Sequence, residues 1–379
     1  MTAIHLDLQN SEDVRDVIHQ AVAALSAGKI IALPTETVYG LAVSALVPEA
    51  VERLLAIKGR DPDKPLAFAI QSLDAAIDYV PDMSAVARRF ARRCWPGPVT
   101  LVLDATHPDS VINRLDPAVR AACVPHGTIG LRVPAHDKTL QIMQLCAGPI
   151  LLTSANLSGQ PESTTAQQVR ESVGDKIDLI LDDGPCRIGQ ASSVVRVQGS
   201  DFKLLREGIV DEATLQRLSG FIALVVCTGN TCRSPMGEAL LRGQIAESLG
   251  CQPADLEKKG LNIMSAGIAA SPGSPPAPQA HAIMQEMGLD ISQHVSQPIT
   301  GRLAQYADVI LTMTSGHRQA LVSHWPTLES RTFTIRCDGG DISDPIGSPV
   351  EVYRKCANQI NEQLAHWVRN FDFSQFHDK

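Results

Sequence analysis

The spacing of apolar residues changes period repeatedly along the chain. Between Lys29 and Arg206, short runs rich in Val, Ile and Leu (KIIALPT, LAFAI, VTLVL, TIGLRV, ILLTSAN, LILDD and SVVRV) predict β-strands. SEDVRDVIHQAVAALSAG instead repeats its apolar positions at helical spacing, with Ser11 as the expected N-cap and Gly28 just past its end. EAVERLLAIKGR and AVARRFARRC predict two more helices. Together these predict a mixed α/β domain whose loops carry chemistry at the strand ends. EGIVDEATLQRLSG is polar, with one short helical repeat, and predicts a linker over residues 209–220. A second unit, 221–379, opens with FIALVVC, the pattern of a buried strand. A polar loop, the helix SPMGEALLRGQIAESLG, the strands ADVILTM and RTFTIR, and a terminal helix VYRKCANQINEQLAHWV follow. Strand, loop and helix alternating over roughly 160 residues predict a doubly wound parallel sheet.

Composition narrows the function classes. The 379 residues are 44% hydrophobic, which excludes a disordered chain, and no apolar run reaches the roughly 18 residues of a membrane span. MTAIHLDLQNSEDVRD turns acidic where the core of a signal peptide would begin, so a cytoplasmic protein is expected. The net charge of −8 is shared evenly: 20 Lys+Arg stand against 24 Asp+Glu up to residue 210, and 13 against 17 beyond it. That excludes a chain-wide polycationic surface for nucleic acid. Nine scattered cysteines read as reduced thiols, with Cys227 and Cys232 the only close pair.

That pair lies in Cys227-Thr228-Gly229-Asn230-Thr231-Cys232-Arg233-Ser234-Pro235, directly after a predicted strand and at the opening of a helix. Successive backbone amides there form a nest for an oxyanion, and the helix N-terminus adds its positive end. A cysteine in this position has its thiolate stabilised and serves as a nucleophile. Arg233 can clamp two oxygens of a phosphoryl group. The general acid is missing locally, and Asp344-Pro345, in a Gly-rich loop after a later strand, is the candidate for it.

VCTGNTCRSPMGEALL, SAG, ADVILTM and DP resemble, in order and spacing, the low-molecular-weight protein phosphatase family over residues 221–370. The resemblance implies that Cys227 attacks phosphorus, that Arg233 and the loop from Thr228 to Ser234 stabilise the intermediate, and that Asp344 is first acid and then base. Phosphotyrosine members generally carry an apolar residue where Thr231 stands, as in CLGNICRSP, whereas protein-arginine phosphatases carry CTGNTCRSP. Ile346 in DPIG departs from the aromatic residue of DPFG. The resemblance therefore points to phosphoarginine, with phosphotyrosine as the alternative. Cys232 is close enough in sequence for a reversible protective disulfide with Cys227, or else it only packs at the start of the helix.

Before Arg206 the chain carries several weaker clusters: PTETVYGL around Thr37; Lys58, Arg60 and Lys64; Trp95 to Thr100; TIGLRVP with Thr128 and Arg132; Ser154 and Asn156; Thr164; Ser192; and Arg206. Taken singly they reach only an anion or nucleotide pocket. Their order and spacing across residues 10–210 resemble the YrdC-like threonylcarbamoyl-AMP synthases, which implies a twisted mixed-sheet α/β domain. It also implies L-threonine, bicarbonate and ATP as substrates, with Mg²⁺ on the phosphates and with tRNA or other tRNA-modification proteins as partners. By the same resemblance Thr37, Arg132, Ser154 and Ser192 hold threonine, while Lys58, Arg60, Lys64, Thr128, Asn156, Thr164 and Arg206 contact ATP. Ala67-Phe68-Ala69 stands where many relatives have histidine. Arg88, Arg89, Arg92 and Arg93 at helical spacing make an RNA-binding module the rival reading, against a merely solvated helix face.

Overall fold

The computed structural model describes residues 2–59 and 65–371, and the chain divides into two compact units, Met1–Leu218 and Ser219–Lys379. Arg60 and Lys64, expected at the triphosphate, lie outside the described residues. Among the described residues no helix is long and apolar enough to cross a membrane.

The first unit is built on ten strands: β1 Ile4–Asp7, β2 Ile31–Leu33, β3 Gly40–Ser44, β4 Ala67–Ala69, β5 Val99–Asp104, β6 Thr128–Arg132, β7 Ile150–Ser154, β8 Leu179–Asp182, β9 Ser193–Gln198 and β10 Asp201–Arg206. Their order is β1-β8-β2-β3-β7-β4-β6-β5-β9-β10, with parallel and antiparallel neighbours mixed. Side chains alternate between the two faces of each strand, and the faces differ in kind. Leu41, Val43, Phe68, Leu101, Ile129, Leu131 and Leu151 point to one face and form a core with helices Pro48–Lys58 and Ala85–Cys94. On the opposite face, helix Val14–Ser26 covers Ile31, Leu33, Leu179 and Ile150 with Val17, Ile18, Ala21 and Leu25. Further along that second face come Leu152, Ser154, Ala67, Thr128, Gly130, Arg132, Thr100 and Val102. Several of these are only half-buried, while their neighbours on the core face are sealed. A β-carbon at Gly130 would stand 3.2 Å from the Ala67 methyl, so glycine keeps this floor low.

Three expectations change here. Asp13 rather than Ser11 caps the first helix, because the Ser11 hydroxyl accepts the Asp13 amide and closes the preceding turn. The stretch 209–220 contains helix Glu212–Ser219, and its Leu215 is fully buried in the first unit's core. The four arginines do not share one solvated face: Arg88 is exposed and Arg92 half-buried. Arg89 and Arg93 are buried, Arg93 donates to the Leu218 carbonyl at 2.5 Å, and Arg88 donates to the Met83 carbonyl.

The second unit has four parallel strands, β11 Phe221–Cys227, β12 Leu261–Gly267, β13 Val309–Thr312 and β14 Thr332–Thr334, in the order β12-β11-β13-β14. Ala223 and Val225 face helices Arg233–Ser248, Pro278–Glu286 and Val350–Asn370. Leu224 and Val226 face Ala304 and Leu321, from helices Gly301–Tyr306 and Ser315–His324 on the other side. The sheet is doubly wound. Its connections leave β11 in opposite directions, so a crevice opens beyond the carboxyl end of that strand. Cys227 is the last residue of β11.

Candidate active sites

The loop after β11 turns back on itself through Asn230, which has φ 55 and is the one non-glycine in the left-handed region among the described residues. That conformation costs an asparagine on the order of 1 kcal/mol, so it persists only if its partners hold it. The Asn230 side chain donates to Ser234 Oγ and Ser265 Oγ, both at 2.9 Å, and accepts the Gln297 amide at 2.8 Å. His294 Nε2 donates to the Asn230 carbonyl at 2.8 Å. Gly267 ends β12 because a β-carbon there would fall 2.4 Å from the Thr228 carbonyl oxygen and 3.0 Å from the Asn230 nitrogen. Loop and neighbouring strand are thus fitted to one backbone path.

On that path Cys227 is buried. Its Sγ lies 3.0 Å from Ser234 Oγ and accepts the Asn230 amide at 3.3 Å. Arg233, also buried, donates from Nη1 to the Ile342 carbonyl at 3.0 Å and from Nη2 to the carboxylate of Asp344. Its Nε is buried without a hydrogen-bond partner. A buried orphan donor is costly, and an oxyanion seated in the loop would satisfy it. Asp344, partly exposed, is anchored by the Ile346 amide on Oδ1. Nucleophile, cation and acid, 117 residues apart in sequence between Cys227 and Asp344, therefore meet at one crevice. Cys232 is a free thiol with its Sγ 3.5 Å from Tyr353 Oη and 3.7 Å from Thr231 Oγ1.

Several supporting residues were not visible in the sequence. Ser265, Gln297 and His294 hold Asn230. Glu238 accepts the Ser265 hydroxyl at 2.7 Å, and burial raises its pKa above 4.5. His317 reaches Thr228 Oγ1 at 2.9 Å. The SAG triplet that ends β12 was the one local signal pointing toward any of them.

In the first unit, the loop between β2 and β3 brings Thr35, Glu36 and Thr37 into burial over the open sheet face. Arg132 Nη2 donates to Glu36 Oε1 and to Thr37 Oγ1, both at 2.8 Å, and Nε donates to the Gly97 carbonyl at 3.1 Å. Glu36 also accepts the Ala135 amide at 2.9 Å. Arg132 is thus pre-set by a buried carboxylate, a partner that the sequence did not single out. Lys58 is buried and its Nζ donates to the Ser154 carbonyl at 2.8 Å, the Asn156 carbonyl at 2.5 Å and Asn156 Oδ1 at 2.9 Å. Ser154 Oγ donates to the same Oδ1 at 2.6 Å. Arg206 Nη2 donates to the Ser192 carbonyl at 2.8 Å, and Ser192 Oγ lies 3.1 Å from Thr100 Oγ1. Thr164 donates its hydroxyl to Gln168, and Thr128 begins β6 on the open face. Seven of the named residues thus fall into three bonded groups, Thr37 with Arg132, Lys58 with Ser154 and Asn156, and Ser192 with Arg206, while Thr128 and Thr164 stand outside these groups. A cavity of about 370 Å³ opens beside Thr35 and Glu36, lined also by His136, Lys138, Asp183 and Arg187.

Comparison with known proteins accounts for both halves. The Sua5/YciO/YrdC family model, described as "Telomere recombination", matches residues 23–208, and the "Low molecular weight phosphotyrosine protein phosphatase" model matches 223–375. A threonylcarbamoyl-AMP synthase of Pyrococcus abyssi is 36% identical over 209 residues, 55% of this chain and 58% of that protein. The chain thus spans little more than half of that relative. A putative threonylcarbamoyl-AMP synthase of Mycobacterium tuberculosis is 34% identical over 203 residues, 54% of this chain and 89% of that protein. Among solved structures, P. abyssi Sua5 complexed with L-threonine matches with TM-score 0.50 and 25% identity, over 70% of this chain and 92% of that one. The YwlE arginine phosphatase from Geobacillus stearothermophilus matches with TM-score 0.36 and 31% identity, over 42% of this chain and 97% of that one. The chain belongs to the Sua5/YciO/YrdC family through its first unit and carries in its second a domain of the low-molecular-weight protein phosphatase family.

Proposed function

We propose that the chain is a bifunctional cytoplasmic enzyme: a threonylcarbamoyl-AMP synthase joined to a protein-arginine phosphatase. The observation that carries the second half is the crevice at β11, where Cys227, Arg233 and Asp344 converge with Thr231 beside them. Cys227 Sγ attacks phosphorus, an S–P bond forms, and the bond to the leaving nitrogen breaks as Asp344 gives that nitrogen a proton. Ser234 steadies the thiolate, while Arg233 and the loop amides bear the charge on the phosphoryl oxygens. Water then attacks phosphorus, Asp344 takes its proton, and the thiolate leaves. The Thr231 hydroxyl supports the phosphoarginine reading, since it offers a guanidinium group a hydrogen-bond acceptor where an apolar side chain would favour a phenol ring.

In the first unit, threonine carboxylation and adenylation depend on positioning and charge neutralisation. Arg132, with Nε and Nη2 already committed, turns its remaining amino group to the threonine carboxylate beside Thr37. Lys58 fixes Asn156 and the end of β7 toward the nucleotide. Magnesium enters on the triphosphate as part of the substrate, neutralising its charge. The product feeds the modified adenosine beside certain tRNA anticodons, so tRNA or other tRNA-modification proteins are the expected partners.

The deciding experiment compares phosphoarginine with phosphotyrosine on the purified wild-type protein. Phosphoarginine is the better substrate, and Thr231→Ile shifts the preference toward phosphotyrosine. A wild type that already hydrolyses phosphotyrosine better would defeat the arginine assignment.

A further inference from the structure

Beside the nucleophile stands a pair of side chains to which the reaction above gives no role. Thr228 directly follows Cys227 and is exposed, and its Oγ1 lies 2.9 Å from His317 Nε2. His317 is buried in the first turn of helix Ser315–His324. Its Nδ1 lies 2.9 Å from Thr314 Oγ1, which also accepts the His317 amide at 3.1 Å. Both ring nitrogens are therefore occupied by hydroxyls, and the ring cannot turn without losing two hydrogen bonds. Burial first, and the charge of Arg233 second, lower the His317 pKa below 6.5, against the opposing pull of Asp344 and Asp341, so the ring is neutral near pH 7.

A hydroxyl carries one proton and two lone pairs. If Nε2 donates to Thr228, one lone pair is left, and if Thr228 donates to Nε2, both are left. Either tautomer thus leaves an acceptor on Thr228, an exposed residue next to the nucleophile, and a neutral ring adds no charge to repel a cation. A phosphoguanidinium group surrounds its scissile N–P bond with N–H donors, whereas an aryl phosphate has none at its bridging oxygen. We propose that His317 is a positioning residue for substrate selection: it holds Thr228 so that Thr228 Oγ1 accepts an N–H of the guanidinium leaving group. The inference rests on the phosphoarginine reading and adds a second hydroxyl to that of Thr231. A site built around such an acceptor discriminates against substrates that cannot donate to it.

The test uses the full-length protein, with kcat/KM measured on phosphoarginine and on p-nitrophenyl phosphate. The variants are His317→Ala, His317→Gln, Thr228→Val and the Thr228→Val/His317→Ala pair. In His317→Ala the ratio of the two kcat/KM values falls about tenfold, the scale of one hydrogen bond to a charged group. His317→Gln, whose amide still meets a hydroxyl, restores most of it. With Thr228→Val already present, adding His317→Ala lowers the ratio no further, because the histidine acts through that hydroxyl. Equal losses on both substrates, or a further loss in the double variant, overturn the proposal. Thr228 is exposed, so its variant remains informative even if alanine at position 317 impairs folding. A wild type with no preference for phosphoarginine defeats the underlying reading before any variant is made, and the inference falls with it.

Discussion

Asn230 is held in a left-handed conformation by Ser234, Ser265, Gln297 and His294, and one step behind Ser265 stands Glu238. Burial raises the pKa of that carboxyl above 4.5, outweighing the lowering by the Ser265 hydroxyl, His294 and Arg242. The folded chain therefore holds this proton more tightly than the unfolded chain. The contribution of Glu238 to stability is greatest below its unfolded value and declines as pH rises through its raised folded value. Glu238→Gln lacks the titration. The difference in Tm between the Gln variant and wild type should move in favour of the variant as pH rises above about 4.5. A difference constant across that range would show that Glu238 is not titrating there. The residues of the proposed reaction, which the fold brings to one crevice, could be singled out in the sequence because chemistry dictates their types: a cysteine at a strand end, an arginine six residues on, an Asp-Pro. The residues that hold them were not. Ser265 lies 35 positions from Asn230 and His317 lies 89 from Thr228, and a serine or histidine at such a distance carries no local pattern.

Strands with continuous apolar runs announce themselves, and FIALVVC and ILLTSAN were legible for that reason. The strands that escaped notice lack such a run. β1 is a four-residue edge strand, and β10, on the opposite edge, exposes every second residue. β3 follows the PTETVY loop so closely that its glycine and alanine read as loop chemistry, and β12 spends its last residues on SAG. The helical repeat of Glu212–Ser219 was legible, but its polarity made it read as a linker, since the helix is exposed on most sides and anchors mainly through Leu215. Removing that anchor leaves a cavity in the first core, and Leu215→Ala should cost about 2–5 kcal/mol by chemical denaturation of that unit. A chain ending at residue 208 should lose at least as much relative to one ending at 218. A loss below about 1 kcal/mol in either case would mean that the helix only rests on the surface.

Each unit has its own sheet, its own buried clusters and its own bonded site. No residue placed in one reaction belongs to the other unit. The two proposed chemistries also share no intermediate, because the proposed synthase reaction consumes ATP and threonine and the proposed phosphatase reaction releases phosphate from a phosphoprotein. Even the charge is divided, with about −4 on each side of residue 210, so each site gathers positive potential from a few buried cations and backbone amides rather than from the field of the whole chain. The expected consequence is functional independence. Cys227→Ser removes the thiolate while keeping a side chain of similar size, so it should abolish phosphatase turnover and leave threonine-dependent pyrophosphate release at the wild-type rate. Lys58→Met keeps the apolar stem but releases Asn156 and Ser154, so it should lower pyrophosphate release at least tenfold and leave phosphatase kcat/KM unchanged. If either substitution alters the other activity more than about twofold, with both proteins folded by thermal unfolding, the two halves are energetically coupled and the fusion is more than a shared transcript.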